Sequence, residues 1–304
     1  MRMMILLNKD GGTIRGMEPE EFGDHVASAL AGSADHATVR LVHGPELIDT
    51  LNDAEADEDI GTIVAGGGDG TISAAAAACF RSNKILGVLP LGTMNLYARS
   101  IGLPMDPHEA VDALAAASPK PVDIGTVNGR PFIHQVSIGL HEQLVSLRSR
   151  LDTSTRFRKI TSTLKVLGDV IKDPPRFPVE TLIGDSKRQS VVSAVSVSNN
   201  LFGTSPVPFA PVIDAGVLGV YHAKAISSPR VFRMTLDAAR GALMTNPYVD
   251  VESAASVTLR FPKKRRRKHA AIDGEIVDLE GELECICHAG GLRILAPATA
   301  GDDG

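Results

Sequence analysis

The first third of the chain switches repeatedly between two hydrophobic rhythms. Short apolar or alternating runs at 3–8 (MMILLN), 37–44 (ATVRLVHG), 60–68 (IGTIVAGGG) and 84–92 (KILGVLPLG) predict β-strands. Between and after them, apolar positions recur at helical spacing over 19–32, 45–59, 70–82, 93–102 and 106–118. Gly32 and Gly102 stop two of these helices, and Pro107 stands in the first turn of the last. Strands alternating with helices predict a parallel sheet covered on both faces, with ligands at the carboxyl ends of its strands.

The rhythm changes near Pro119-Lys120-Pro121. Residues 122–140 (VDIGTVNGRPFIHQVSIGL) hold two strands around Asn128-Gly129, a hairpin signal. A long basic amphipathic stretch, 144–172, follows. Beyond it, period-two runs such as SVVSAVSVSNN, GVLGVYHAKAI and ELECICHAG, separated by turn residues, predict a β-sandwich or barrel. The expected fold class is therefore α/β plus β. A parallel-sheet α/β domain over 1–120 is followed by a β-sandwich domain over 121–290, with the segment 290–300 a candidate to pack back on the first.

Composition narrows this little. Of 304 residues, 43% are hydrophobic and 22% charged, which is ordinary for a soluble enzyme. The net charge of −5 argues against a nucleic-acid binder, so any anionic partner must be met locally. The three cysteines, Cys79, Cys285 and Cys287, suit a reducing compartment and show no zinc spacing. The N-terminal apolar run reads as a strand rather than a signal peptide, and no stretch has the length of a membrane span. The expectation is a cytoplasmic protein, at most peripheral to a membrane. Oligomeric state is not legible.

The chemistry begins at Gly66–Thr71 (GGGDGT). A strand running through glycines into a helix brings backbone close to phosphate oxygens and aims unpaired N–H groups at them. A tight turn without a ligand has the same appearance, and neither common phosphate-loop spacing is matched. Asp69 discriminates. A carboxylate beside phosphate is repulsive unless a cation lies between, and Mg²⁺ binds one or two carboxylates together with phosphate oxygens. Asp69 also suits a helix N-cap. A second turn, Leu91-Gly92-Thr93-Met94-Asn95, falls at the end of the next strand, where Thr93 and Asn95 suit a nucleotide or an acceptor hydroxyl. Far downstream, AIDGEI (271–276) admits two readings. In a continuous β segment, Asp273 and Glu275 face one side as a carboxylate pair for base and metal work. Alternatively, Asp-Gly turns a surface hairpin.

GGGDGT, PLGTMN…AR and IDGE, in this order, resemble the diacylglycerol kinase catalytic-domain family, which includes diacylglycerol, sphingosine and ceramide kinases and many bacterial lipid kinases. VDIGTVNGRPFIHQVSIG and PFAPVIDAGVLGVY extend the resemblance over about residues 3–297. It implies two domains with the active site in the cleft between them, and transfer of the γ-phosphoryl of ATP to a lipid hydroxyl, diacylglycerol by default. It further implies that Asn8, Gly67, Gly68, Asp69, Gly70, Thr71, Gly92, Thr93 and Asn95 bind nucleotide. Asp273 would be the general base, Glu275 would support it or the metal, and Asp69 would lie beside Mg²⁺. Asp214 matches an acid that holds a structural Mg²⁺ in some bacterial members.

There are departures. The first-strand loop is Asn8-Lys9-Asp10-Gly11-Gly12, from which Lys9 and Arg15 are candidates to reach phosphates. Leu96 follows the Asn of the second motif, Ile133-His134 replaces Phe-Asn, and Asp214-Ala215-Gly216-Val217-Leu218 is stretched, which puts the structural metal in doubt. Sphingoid-base or ceramide kinase, a soluble NAD-kinase-like enzyme, and an inactive lipid- or nucleotide-binding module stand as alternatives. Six consecutive cations, Lys263–Lys268, and the 144–172 stretch suit either solvated surface or transient attraction to an anionic membrane.

Overall fold

The structure is a computed structural model. It describes residues 2–32, 36–140, 174–225, 245–261, 268–279 and 281–297, together with 237 and 240–242. The basic stretch 144–172 and positions 263–267 of the cationic run lie outside the described residues.

Strands β1 (Arg2–Asn8), β2 (His36–Val42), β3 (Ile60–Gly67) and β4 (Ile85–Pro90) pair in parallel in the order β4-β3-β1-β2. Helices α1 (Pro19–Ala29), α2 (Gly44–Ala56), α3 (Asp69–Ser82), α4 (Leu96–Ser100) and α5 (Pro107–Ala115) accompany them. Alternation along β1 divides the helices between two faces. Met3, Ile5 and Leu7 share a buried cluster with Phe22 and Val26 of α1 and Val111 and Leu114 of α5. Met4 and Leu6 share another with Leu47 and Leu51 of α2 and Ile72 and Ala75 of α3. Both faces are covered, so β1, β3 and β4 are apolar almost throughout, whereas the edge strand β2 alternates.

From β1 the chain goes to β2 on one side, then returns to β3 on the other. The connections diverge between β1 and β3, which leaves a crevice at their carboxyl ends. Asn8 and Gly66–Gly68 flank it.

The rest is β-rich: β5 (Ser118–Val127), β6 (Arg130–Phe132), β7 (Gln135–Gly139), β8 (Phe177–Ile183), β9 (Ser186–Asn199), β10 (Leu218–Lys224), β11 (Val249–Ala254), β12 (Ser256–Arg260), β13 (Lys268–Ile272), β14 (Glu275–Leu279) and β15 (Leu283–Ala296). Their inner faces enclose a second core around Phe132, Phe177, Val195, Val197, Leu218 and Leu259. The long β15 joins the two regions. It pairs antiparallel with β12 and β5, and near its end runs parallel to β4, with Arg293 opposite Ile85. Hydrogen bonding thus links the strands into one mixed, fifteen-stranded sheet among the described residues. The architecture is the expected mixed α/β fold with a β-rich C-terminal region.

The helix predicted over 93–102 is much shorter. It starts only at Leu96, because Asn95 is left-handed at φ 50° and belongs to the preceding turn.

Candidate functional site

Two glycine turns meet at the crevice. Gly68 is the N-cap of α3, and Asp69 is that helix's first residue. A Cβ on Gly92 would overlap the Cα of Gly68, and one on Gly67 would overlap the Thr71 side chain. Backbone therefore lies directly on backbone here, and only glycine allows it. We expect Gly92→Ala to force the turns apart at a cost of about 1–3 kcal/mol, the usual range for overpacking. A lowered urea midpoint would register this, and an unchanged midpoint would mean the turns are not in contact.

Side chains lock the turns together. The Asp69 carboxylate accepts hydrogen bonds from the backbone N–H of Asn95 (3.1 Å) and Leu96 (2.6 Å). It therefore caps the start of α4, a neighbouring helix, rather than its own. The Asn95 side chain accepts from Gly92 N–H (2.9 Å) and donates to the carbonyls of Gly92 and Pro90. Its amide is taken up inside the turn, so Asn95 shapes the turn from behind. Asn8 donates from Nδ2 to Thr71 Oγ1 (3.0 Å), tying the end of β1 to α3.

These elements surround a cavity of about 650 Å³. Asn8, Gly68, Asp69, Gly70, Thr71, Gly92, Thr93 and Asp273 line it, along with Asp10, which sequence reasoning passed over. Asp10 accepts from Gly44 N–H at 2.8 Å, at the start of α2, and its Oδ1 lies 3.3 Å from His43 Nδ1. Those hydrogen bonds, the larger of them from Gly44, hold its carboxyl below the usual range. No Lys or Arg lines the cavity among the described residues, and neither Lys9 nor Arg15 does.

Asp273 reaches this cavity from the β-rich region. It does not sit in a continuous strand. Asp273 (φ 47°) and Gly274 (φ 85°) form the two-residue turn of the β13–β14 hairpin. The expectation that Asp273 and Glu275 share one face of a strand is thus corrected, because the chain reverses between them. The Asp273 carboxylate is nevertheless turned inward onto protein donors. Asp273 Oδ1 accepts from His134 N–H and Gln135 N–H, each at 2.9 Å. Its Oδ2 accepts from Ile133 N–H (2.9 Å) and from Ser73 Oγ of α3 (2.6 Å). Burial is the largest influence on this carboxyl and pushes its pKa up, with the four donors opposing that shift. Three of the donors are backbone groups, so the replacement of Phe-Asn by Ile133-His134 leaves this nest intact.

Glu275 lies apart. Its side chain is 71% exposed and pairs with Arg130 at 2.5 Å. Asp214 is exposed in the loop between β9 and β10 and does not line the cavity. That loop is tied down by Asp123, whose buried carboxylate accepts from Gly216 N–H (2.6 Å) and Gly290 N–H (3.0 Å). No group of three metal-binding side chains occurs among the described residues. Carboxylates without cations fit a Mg²⁺ ion that arrives bound to phosphates and keeps part of its water.

Comparison with known proteins agrees with this geometry. Residues 2–127 match the diacylglycerol kinase catalytic domain. A YegS-like lipid kinase from Pseudomonas aeruginosa (strain UCBPP-PA14) is 39% identical over 101 residues, covering 33% of this chain and 32% of that protein. Another, from Klebsiella pneumoniae (strain 342), is 37% identical over 91 residues, covering 29% and 31%. The matches thus span about a third of these curated relatives' lengths. A solved diacylglycerol kinase from Bacillus anthracis str. Sterne superposes with a TM-score of 0.70 at 16% identity, over 97% of this chain and 96% of that one. A likeness so low in identity speaks for the fold alone, but does so along nearly the whole chain. Both glycine turns lie inside the matched segment, and residues 2–127 belong to the diacylglycerol kinase catalytic-domain family.

Proposed function

We propose that this protein is a lipid kinase that moves the γ-phosphoryl of ATP to a lipid hydroxyl, diacylglycerol by default. The observation that carries this reading is the meeting of Asp69 and the two glycine turns with the hydrogen-bonded, half-buried carboxylate of Asp273 at one cavity. Backbone N–H groups at the start of α3 receive phosphate oxygens. Mg²⁺, brought with the nucleotide, would be held by Asp69 and would neutralise charge on the phosphates. Asn8 and Asn95 keep the turns at the spacing that the phosphates need. Asp273 is the base that takes up the proton released as the hydroxyl attacks, and its raised pKa makes it a better base than a solvated aspartate. Glu275 takes part through its pairing with Arg130 at the edge of the site.

Several observations favour a lipid acceptor over a soluble one. The matched relatives carry the lipid kinase name, and PLGTMN and IDGE accompany the GGDGT loop. No helix among the described residues is long and apolar enough to cross a membrane. Access to the acceptor would then be from the membrane surface, through the cationic segment Lys263–Lys268 and the basic 144–172 stretch. The reading is tested by giving the purified chain Mg²⁺-ATP with NAD or with diacylglycerol in mixed micelles. Phosphorylation of the lipid alone supports it, and phosphorylation of NAD alone sinks it.

A further inference from the structure

A second cavity, of about 300 Å³, adjoins the first and shares Gly70 and Asp273 with it. It lies between α2, α3 and the hairpin residues around Arg130 and Glu275. Its character differs from that of the first. Ile48, Leu51, Ala74, Ala77, Pro131 and Ile272 supply an apolar surface. Ile48 is 53% exposed at its rim and extends this apolar surface to solvent. The two cations of the lining are both neutralised. Arg81 makes a two-pronged pair with Glu55 (2.9 and 2.6 Å), and Arg130 pairs with Glu275. Ser73 also lines this cavity, and its Oγ donates to Asp273 Oδ2 at 2.6 Å.

We propose that this second cavity receives the hydroxyl-bearing head of an uncharged amphiphile, set on Ser73 at the seam with the first cavity, with its hydrocarbon leaving over Ile48. The inference rests on the reading of the first cavity as the ATP site. A volume of about 300 Å³ is at the small end for a ligand pocket, enough for a head and its first carbons but not for whole acyl chains. Since both lining cations are already paired, an uncharged head displaces no ion pair, whereas a phosphorylated head finds no free cation. A product carrying a new phosphate is thus disfavoured where its precursor was held.

The seam also fits the chemistry. The acceptor O–H donates to Ser73 Oγ while the Ser73 proton passes to Asp273 Oδ2. The acceptor oxygen bonds to the γ-phosphorus, the bond from that phosphorus to its bridging oxygen breaks, and ADP leaves with the electron pair. Asp273 then returns its proton to water. Gly70, with nothing within 4 Å of where a Cβ would stand, leaves the seam open.

The test uses the full chain with Mg²⁺-ATP and diacylglycerol in mixed micelles. Ala77→Leu fills the cavity, and Ile48→Asp puts a charge on its exposed rim without touching the core. Each is expected to raise the KM for the lipid at least tenfold and to leave the KM for ATP within twofold. Ser73→Ala is expected to lower kcat at least tenfold, and Ser73→Thr to restore most of it. If the protein phosphorylates the lipid and neither Ala77→Leu nor Ile48→Asp moves the lipid KM, the acceptor enters elsewhere and this inference fails. If the unaltered chain phosphorylates no hydroxyl-bearing lipid, the kinase reading itself fails first.

Discussion

Replacing Asp273 by Asn is expected to lower kcat by about 10²–10⁴-fold, the range for loss of a general base. The geometry adds a second effect. An asparagine amide keeps one oxygen for the His134 and Gln135 donors but turns an NH₂ toward Ile133 N–H and Ser73. Ser73 can rotate and accept, whereas the Ile133 donor is left unpaired, at a cost of about 1–3 kcal/mol. A urea midpoint measured beside the kinetics separates the two effects, because a fall in stability of that size does not empty the folded state at low denaturant. The pH profile is more telling. Burial holds the Asp273 pKa above its ordinary value of 3.8, so the acid limb of kcat/KM is expected above that value and is expected to vanish in the variant. The stability effect has the opposite slope. A carboxyl whose folded pKa is raised binds its proton more tightly when folded, so its contribution declines as pH rises from the unfolded pKa through the folded one. Activity that kept its acid limb in Asp273→Asn would remove Asp273 from the role of base.

Asp69→Asn is expected to have an effect of similar size by a different route. The substitution keeps one oxygen for Leu96 N–H but removes the charge, and with it the carboxylate placed between the two glycine turns to hold Mg²⁺ beside phosphate. We expect turnover to fall by about 10²–10³-fold, as when one electrostatic contact to a transferring group is lost. The Mg²⁺ concentration needed for half-maximal activity should rise in parallel. The charge-assisted cap on α4 weakens too, by about 1 kcal/mol. An unchanged Mg²⁺ requirement would mean that Asp69 acts only as that cap.

Much of this site was legible in the chain because its parts are local. A glycine turn between a strand and a helix is set by neighbouring residues, so GGGDGT and PLGTMN could be placed at strand ends from the alternation alone. The parallel order of the first strands follows from the same alternation. What escaped depends on contacts between distant segments. Asp10 looked like an ordinary loop residue, and only the arrival of α2 at its carboxylate gives it a place in the cavity. Asn95 has the chemistry of a ligand-binding residue, but the turn takes up its amide first.

Asp273 is the sharpest case. Asp-Gly at a hairpin tip reads as surface, and the Asp273 carboxylate is drawn in only because the segment Ile133–Gln135 and α3 bring three backbone donors and Ser73 to it. Of the two readings of IDGE, the hairpin turn is the one that holds, and Glu275 does not join Asp273 on one face. The departure at Ile133-His134 seemed to weaken the family resemblance. It proves harmless for the nest because backbone, not side chain, does the binding there. Asp69 does act as a cap, but for a helix on the other side of the crevice rather than for its own.

The most direct measurement is incubation of the purified chain with Mg²⁺ and ATP labelled at its γ-phosphate, in the presence of a total lipid extract. Label is expected in an organic-soluble phosphate monoester. It should be absent when Mg²⁺ is chelated and absent again with Asp69→Asn. Label that stays in the water phase, with ATP intact, from a chain shown to be folded, would contradict the assignment of this cavity to phosphoryl transfer onto lipid.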